Sequence, residues 1–210
     1  MTDPKPKPPN KEEVLAKLEA GESFSDVEIG DVNFTKHKFK TEANFYDAIF
    51  IGEANFRRAQ FLNGADFSFV NFLGEKGVSF SLAVFSGKTT ADFSEAQFLC
   101  NGKVNFRSTK FNCEHGTYFT ETKFSGKGGA YFDEAIFSGE GNVNFRGADF
   151  SCEDEINFRL TTFSGKEKTN FSRTQFSSST GVNFDRTIFS SEGGTDFNRA
   201  KFMGNGKYRF

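Results

Sequence analysis

From Phe67 to Phe210, phenylalanine recurs at gaps that alternate between five and eight residues, a thirteen-residue repeat without a break. Two positions before each Phe sits a small or β-branched residue, as at Val78, Ala83, Ala91, Ala96, Val104 and Thr109, with Tyr208 the one misfit. A fixed period with two size-matched apolar positions predicts a solenoid, in which each repeat buries its apolar side only against its neighbours. The pattern begins earlier in shorter form. Phe24, Ile29, Phe34 and Phe39 are five apart, with Val27, Val32 and His37 two before the last three, and the gaps then run 5 and 6 as far as Phe67. The unit is therefore a five-residue wall, and what lengthens is the connection after every second wall. The lengthened pieces, Leu73-Gly74-Glu75-Lys76-Gly77 and Ser125-Gly126-Lys127-Gly128-Gly129 among them, are polar and Gly- or Ser-rich. Such composition supplies turns and positive φ and predicts bulged corners rather than new elements.

The earliest repeats decide how many walls close a coil. Two walls and two reversals within residues 24–33 would leave no room for stacked Phe rings. Four walls give coils of about 20, then 22, then 26 residues. Residues 24–210 hold 31 wall centres, 30 Phe and Ile29, hence seven full coils and three walls of an eighth. At roughly 4.8 Å per coil the rod would be about 37 Å long. One column would hold Phe24, Phe45, Phe67, Phe93, Phe119, Phe145, Phe171 and Phe197. Asn or Asp precedes the Phe on alternate walls, as at Asn33, Asn44, Asn55, Asp66, Asn144 and Asn183. Stacked amides of this kind can form hydrogen-bond ladders along the axis.

Residues 1–9, with four prolines and alternating lysines, read as an extended, mobile tail. A capping helix follows at 10–21. Asn10 fits the N-cap, Glu13 its capping-box partner, and Gly21 the C-terminal exit. Val14, Leu15 and Leu18 fall on one side and are expected to cover the first coil, because an open solenoid end exposes core and unpaired strand edge. His37 takes an inward position near that end and reads as a packed structural residue. The solenoid occupies 22–210.

At the opposite end the last wall carries Tyr208 where a small residue belongs, and no helix matches the one at the start. End-to-end packing of two rods, or further chain, would cover the open groups. Met203, Tyr208 and Phe210 would give a homodimer contact an apolar centre, and that outcome is preferred.

The pentads Ala43-Asn44-Phe45-Tyr46-Asp47, Ala54-Asn55-Phe56-Arg57-Arg58, Ala65-Asp66-Phe67-Ser68-Phe69 and Val143-Asn144-Phe145-Arg146-Gly147 carry a resemblance. Over residues 24–210 the chain resembles the pentapeptide-repeat family, in its phenylalanine-rich branch. The resemblance implies an all-β fold: a right-handed, four-sided parallel β-helix with the Phe and the small residue two before it inside. The eight-residue spacing departs from the family pattern and bears on the square cross-section at two corners per coil. Some members of that family imitate duplex DNA and bind DNA gyrase or topoisomerase, protecting it from quinolones. That role implies a strongly acidic surface and usually a C-terminal dimer.

Composition narrows the function further. Acidic and basic residues nearly cancel, 28 against 26, and no long block of one sign is visible, which argues against nucleic-acid binding and against imitation of nucleic acid. Outward arginines such as Arg57, Arg58, Arg107 and Arg146 weigh the same way. The start MTDPKPKPPN has no apolar signal core and no run reaches membrane-spanning length. Three cysteines are an odd set and fit a reducing compartment, so a cytoplasmic protein is expected.

Candidate chemistry is sparse. Ser86-Gly87-Lys88-Thr89 resembles the end of a phosphate loop, but Leu82 stands where its first glycine belongs and no helix follows. Cys113-Glu114-His115 offers too few ligands for a tetrahedral site, with Cys100 and Cys152 on the opposite edge. Glu153-Asp154-Glu155 reads as a solvated acidic corner. Asn33-Phe34-Thr35 and Asn170-Phe171-Ser172 match glycosylation sequons but belong to the wall pattern. No catalytic group, metal or cofactor is predicted, and the expectation is a non-enzymatic structural or protein-interaction scaffold. The outward exceptions are Ile51, Leu73 and Leu99. All follow the Phe of the second wall in three successive coils, and so should stack as an exposed apolar strip. Such a strip marks a contact surface, a place that the N-terminal helix or tail covers, or simple tolerance of apolar side chains at the surface.

Overall fold

The computed structural model describes residues 7–210, so residues 1–6 of the predicted tail lie outside the described residues. One short helix, α1 (Lys11–Ala20), leads into a parallel β-solenoid of about seven turns and four sheets. Face A runs from Glu28–Ile29 to Lys201–Met203 and face B from Val32–Asn33 to Lys207–Arg209, eight strands each. Face C runs from Lys38–Phe39 to Ile188–Phe189 and face D from Ala43–Asn44 to Thr195–Asp196, seven strands each. Each strand pairs with the one four walls later, as Ile49 with Asn71 and Phe50 with Phe72. Four walls close a coil.

The walls are short because the side chain must alternate. The small residue and the Phe of each pentad point inward, with one outward residue between them, as in Ala54-Asn55-Phe56 on face B and Ala59-Gln60-Phe61 on face C. The rings stack as predicted: Phe119 to Phe145 and Phe145 to Phe171 are both 4.8 Å between centroids and within 6° of parallel. Rings from adjacent faces meet edge to face, as Phe132 with Phe145 at 5.8 Å and 82°. That arrangement suits the ring quadrupole. Threonine can replace alanine at the inward small position because its hydroxyl finds a partner. Thr109 donates to the Phe80 carbonyl at 2.8 Å and Thr161 to that of Phe132 at 2.7 Å. Among the described residues no buried side-chain nitrogen or oxygen lacks a hydrogen-bond partner.

The amide ladders are a correction. The Asn and Asp oxygens bond within their own pentad, accepting from the backbone N–H two residues on: Asn33 from Thr35 at 3.0 Å, Asn144 from Arg146 at 3.0 Å, Asn183 from Asp185 at 2.9 Å. These are Asx turns, and they prepare the corner that follows. At each such corner a four-residue turn closes, as His37 N–H to the Phe34 carbonyl at 2.9 Å. Its third residue is left-handed, as a type II turn requires.

Fourteen of these left-handed residues are not glycine, from Asp26 to Arg199, with φ between 53° and 61°. The strain is held because the same residue's N–H is locked to the next coil, as Lys36 to the Arg57 carbonyl at 2.9 Å. Positive φ was expected in the Gly-rich corners, and it also falls here, on charged and apolar side chains. In the Gly-rich corners lack of room matters as much as φ. At Gly126 a Cβ would overlap the Cys100 carbonyl oxygen of the coil below.

The eight-residue connections bulge at the A–B and C–D corners, and one adds strand: Val84–Gly87 pairs with Lys110–Cys113 over four residues. At the N-terminus Asn10 and Glu13 form the reciprocal capping box, and Gly21 is left-handed with its N–H on the Leu18 carbonyl. Val14 is fully buried, and Leu15 and Leu18 pack half-buried on the core. The tail is not free along the residues described. Pro8 lies against Gly30, at the foot of face A.

Candidate functional site

The residues singled out for contact lie on two surfaces. Ile51, Leu73 and Leu99 are 41, 43 and 39 % exposed. Each follows an inward Phe on face A, so it points outward, and the ladder stacks the three: the Leu73 N–H donates to the Phe50 carbonyl at 2.8 Å and that of Leu99 to Phe72 at 3.0 Å. Below them the column continues to Gly30, where Pro8 packs, and above them to Ser125, Ser151 and Ser177. The α1 helix sits over the end of the core and leaves the strip uncovered among the described residues. Ile49 lies half-buried beside it. Other apolar side chains of the same coils are exposed as well. Tyr46 and Phe69 meet with ring centroids 5.5 Å apart and planes tilted by 59° on the corner between faces D and A, and Leu62 and Leu82 lie toward face C.

The second surface is the C-terminal end. Phe210 is 79 % exposed and Met203 is exposed beside it. Tyr208 is half-buried, pairs with Val182, and reaches the Gly204 carbonyl with its hydroxyl at 3.3 Å. Phe202 joins the group, 5.5 Å from the Phe210 ring and 5.8 Å from that of Tyr208.

The sites weighed for chemistry stay apart. Cys100 and Cys152 line the A–B corner and Cys113 the C–D corner, all three free and buried. Burial pushes the Cys100 thiol up to about 11 and those of Cys113 and Cys152 up to about 12, so none is poised as a nucleophile. His115 is exposed next to buried Cys113. Among the described residues no three His, Cys, Asp or Glu side chains gather as a metal site. The acidic corner at 153–155 is used internally: Asp154 accepts from the Tyr131 hydroxyl at 2.9 Å and Glu155 from the Asn157 amide at 3.1 Å. Lys103 caps the Tyr131 ring 5.0 Å from its centroid. His37 packs 4.6 Å from the Phe39 ring. Burial, with the Lys11 charge, lowers its pKa below 6.5.

Face B and its corner to face C carry charges that pair between coils, a feature the sequence reading missed. Arg107 meets Asp133 and Glu134 at 3.0 Å each, and Arg159 meets Asp185 at 3.6 Å. The signal was the thirteen-residue period itself, which places residues twenty-six apart in adjacent coils.

No protein-family model matches the chain, and no curated protein matches it. Among the described residues no helix is long and apolar enough to cross a membrane.

Proposed function

We infer that the chain is a phenylalanine-rich pentapeptide-repeat protein that serves as a non-enzymatic, cytoplasmic protein-interaction rod. The Phe spacing of about five residues on a four-sided parallel solenoid supports the family. One observation carries the function: Ile51, Leu73 and Leu99 form an exposed apolar strip on a scaffold in which, among the described residues, every buried side-chain nitrogen and oxygen has a partner. A regular solenoid face holds such side chains at fixed spacing, and an apolar strip with a polar surround marks a contact site. The same reading assigns Met203, Tyr208 and Phe210 to an end-to-end contact between two copies. Imitation of duplex DNA for a gyrase-type partner calls for carboxylates left free along the rod. On face B they are engaged by Arg107 and Arg159, and the column of carboxylates at the corner between faces D and A gives way to Arg173 and Arg199 after Gly147, which favours the apolar contact.

The test is the triple variant Ile51→Ser/Leu73→Ser/Leu99→Ser. Circular dichroism and the urea midpoint are expected to stay unchanged, because the side chains point outward, while binding of the rod's protein partner in pull-down is lost. Retained binding would remove the strip from the function. Collapse of the fold would show that the three residues serve the core.

A further inference from the structure

The corner between faces D and A carries a second pattern, in charge. Its left-handed turn residue forms one column down the rod. Through the fifth coil the column is acidic apart from Phe69, with Asp26, Asp47, Glu95 and Glu121; then comes Gly147; then Arg173 and Arg199. Backbone bonds between coils fix the spacing: the Glu121 N–H donates to the Arg146 carbonyl at 3.0 Å, that of Gly147 to Ser172 at 3.0 Å, and that of Arg173 to Asn198 at 2.9 Å. Each step is one coil, roughly 4.8 Å. The sequence of charges Glu95, Glu121, Gly147, Arg173, Arg199 is therefore antisymmetric about Gly147. Two negative charges stand on one side at one and two coils, and two positive charges on the other side at the same distances.

These four charges are exposed and make no ion pair among the described residues. Their arrangement explains why. On face B and its corner to face C opposite signs stack in adjacent coils and pair, as Arg107 with Glu134. On this ridge like signs stack, so Glu95 repels Glu121 and Arg173 repels Arg199 in the single rod.

We propose that two copies of this chain pair side by side and antiparallel along this ridge, on a two-fold axis through Gly147. Glu95 then faces Arg199 of the second copy and Glu121 faces Arg173, each contact made twice, as an isologous interface requires. The position without a side chain sits on the axis, where the ridges come closest. Only the Glu121 Cγ lies near it, 3.2 Å from where a Cβ would be. Arg146 and Asp149 flank Gly147, and Lys123 lies beside Asp149 on the neighbouring strand of face A, so the centre carries charges of both signs. Overlap of the two rods along their whole length sets Asp26 against Arg199 and Asp47 against Arg173, but it also sets Glu95 against Glu121 and is disfavoured by that pair. Parallel pairing sets every charge against its like.

Sedimentation velocity tests this in full-length chains carrying Met203→Ser and Phe210→Ser, so that an end-to-end contact does not contribute. At low ionic strength and high micromolar concentration the chain is expected to be a dimer that weakens at least about tenfold as salt rises to half molar. Arg173→Glu/Arg199→Glu and Glu95→Arg/Glu121→Arg are each expected to be monomeric, and their equimolar mixture to form a heterodimer. Both signs occupy this turn position in the natural chain, so circular dichroism is expected to match the parent. If either variant fails to fold, the salt titration of the unsubstituted ridge decides. A parent that is monomeric at low salt, or a dimer indifferent to salt, overturns the proposal. So does a mixture that stays monomeric, or rescue of the arginine variant by Asp26→Arg/Asp47→Arg in place of the glutamate reversal.

Discussion

At the N-terminal end of the rod Phe24 and Phe34 are fully buried, whereas at the C-terminal end Phe189 and Phe210 are exposed and Phe197 and Phe202 only half-buried. The stacking below Phe197 barely differs from that in the middle: Phe171 to Phe197 is 4.9 Å, against 4.8 Å for Phe145 to Phe171, and only the last ring, Phe210 on Phe184, is looser at 5.9 Å. What differs is the layer on the other side. Over the first coil α1 lays Val14, Leu15 and Leu18, and Lys17, bonded to Glu22 at 2.7 Å, reaches to 6.0 Å from the Phe24 ring. The cap imposes its own shape. Phe24 tilts 39° from Phe45, while rings deeper in the stack are within a few degrees of parallel. Burial in this molecule is thus not a property of the Phe position in the pentad. It belongs to the pair of layers that sandwich it, as a one-dimensional stack of repeats demands.

The largest test of that contrast compares one ring from the middle with one from the open end. Phe145→Ala is expected to cost about 3–5 kcal/mol, because the ring is covered on both sides and its loss leaves a cavity. Phe210→Ala should cost well under 1 kcal/mol, its ring meeting Phe184 at 5.9 Å and the edge of Phe202 at 5.5 Å with its other side open to water. Equal shifts in urea melts would mean that burial does not follow the layers. A smaller effect comes from the cap. Asn10→Ala removes the acceptor for the Glu13 N–H and is expected to cost about 1 kcal/mol. Its effect should be local, seen as faster amide exchange in the first coil and none beyond the middle of the rod.

The smallest effect is from His37. Its folded pKa lies below the ordinary 6.5 through burial, reinforced by Lys11 and opposed by Glu19. The unfolded chain therefore binds the proton more readily. The stability from keeping His37 neutral is fully present above about pH 6.5 and is lost as pH falls through 6.5 toward the lower folded value. His37→Gln should flatten that part of the stability–pH curve, and an unchanged slope would mean that the imidazole is solvated.

The apolar grid was legible because Phe and the small residue repeat with no exceptions beyond Glu22, Ile29, His37 and Tyr208, and because a ten-residue coil has no room for the rings. The capping box was legible because Asn10, Glu13 and Gly21 act through bonds to near neighbours in the chain. The exposed strip followed from the same grid, since Ile51, Leu73 and Leu99 occupy one outward position in successive coils. The hydrogen-bond choice of the Asn and Asp residues was not legible. A side-chain oxygen can reach either its own backbone or the next coil, and the turn geometry at Thr35 or Arg146 selects the first. Nor was the left-handed backbone at Phe69, Leu82 and Leu160, side chains that disfavour it in isolation.

The sequence by itself determined the period, the inward and outward sides and the number of walls, because these follow from side-chain size and from how far a chain of given length reaches. Tertiary structure alone decided which residues bear backbone strain, which charges find partners, and which rings are covered. Those outcomes depend on atoms in the adjacent coil, which stand about twenty to twenty-six residues away in the chain and about one strand spacing away in space.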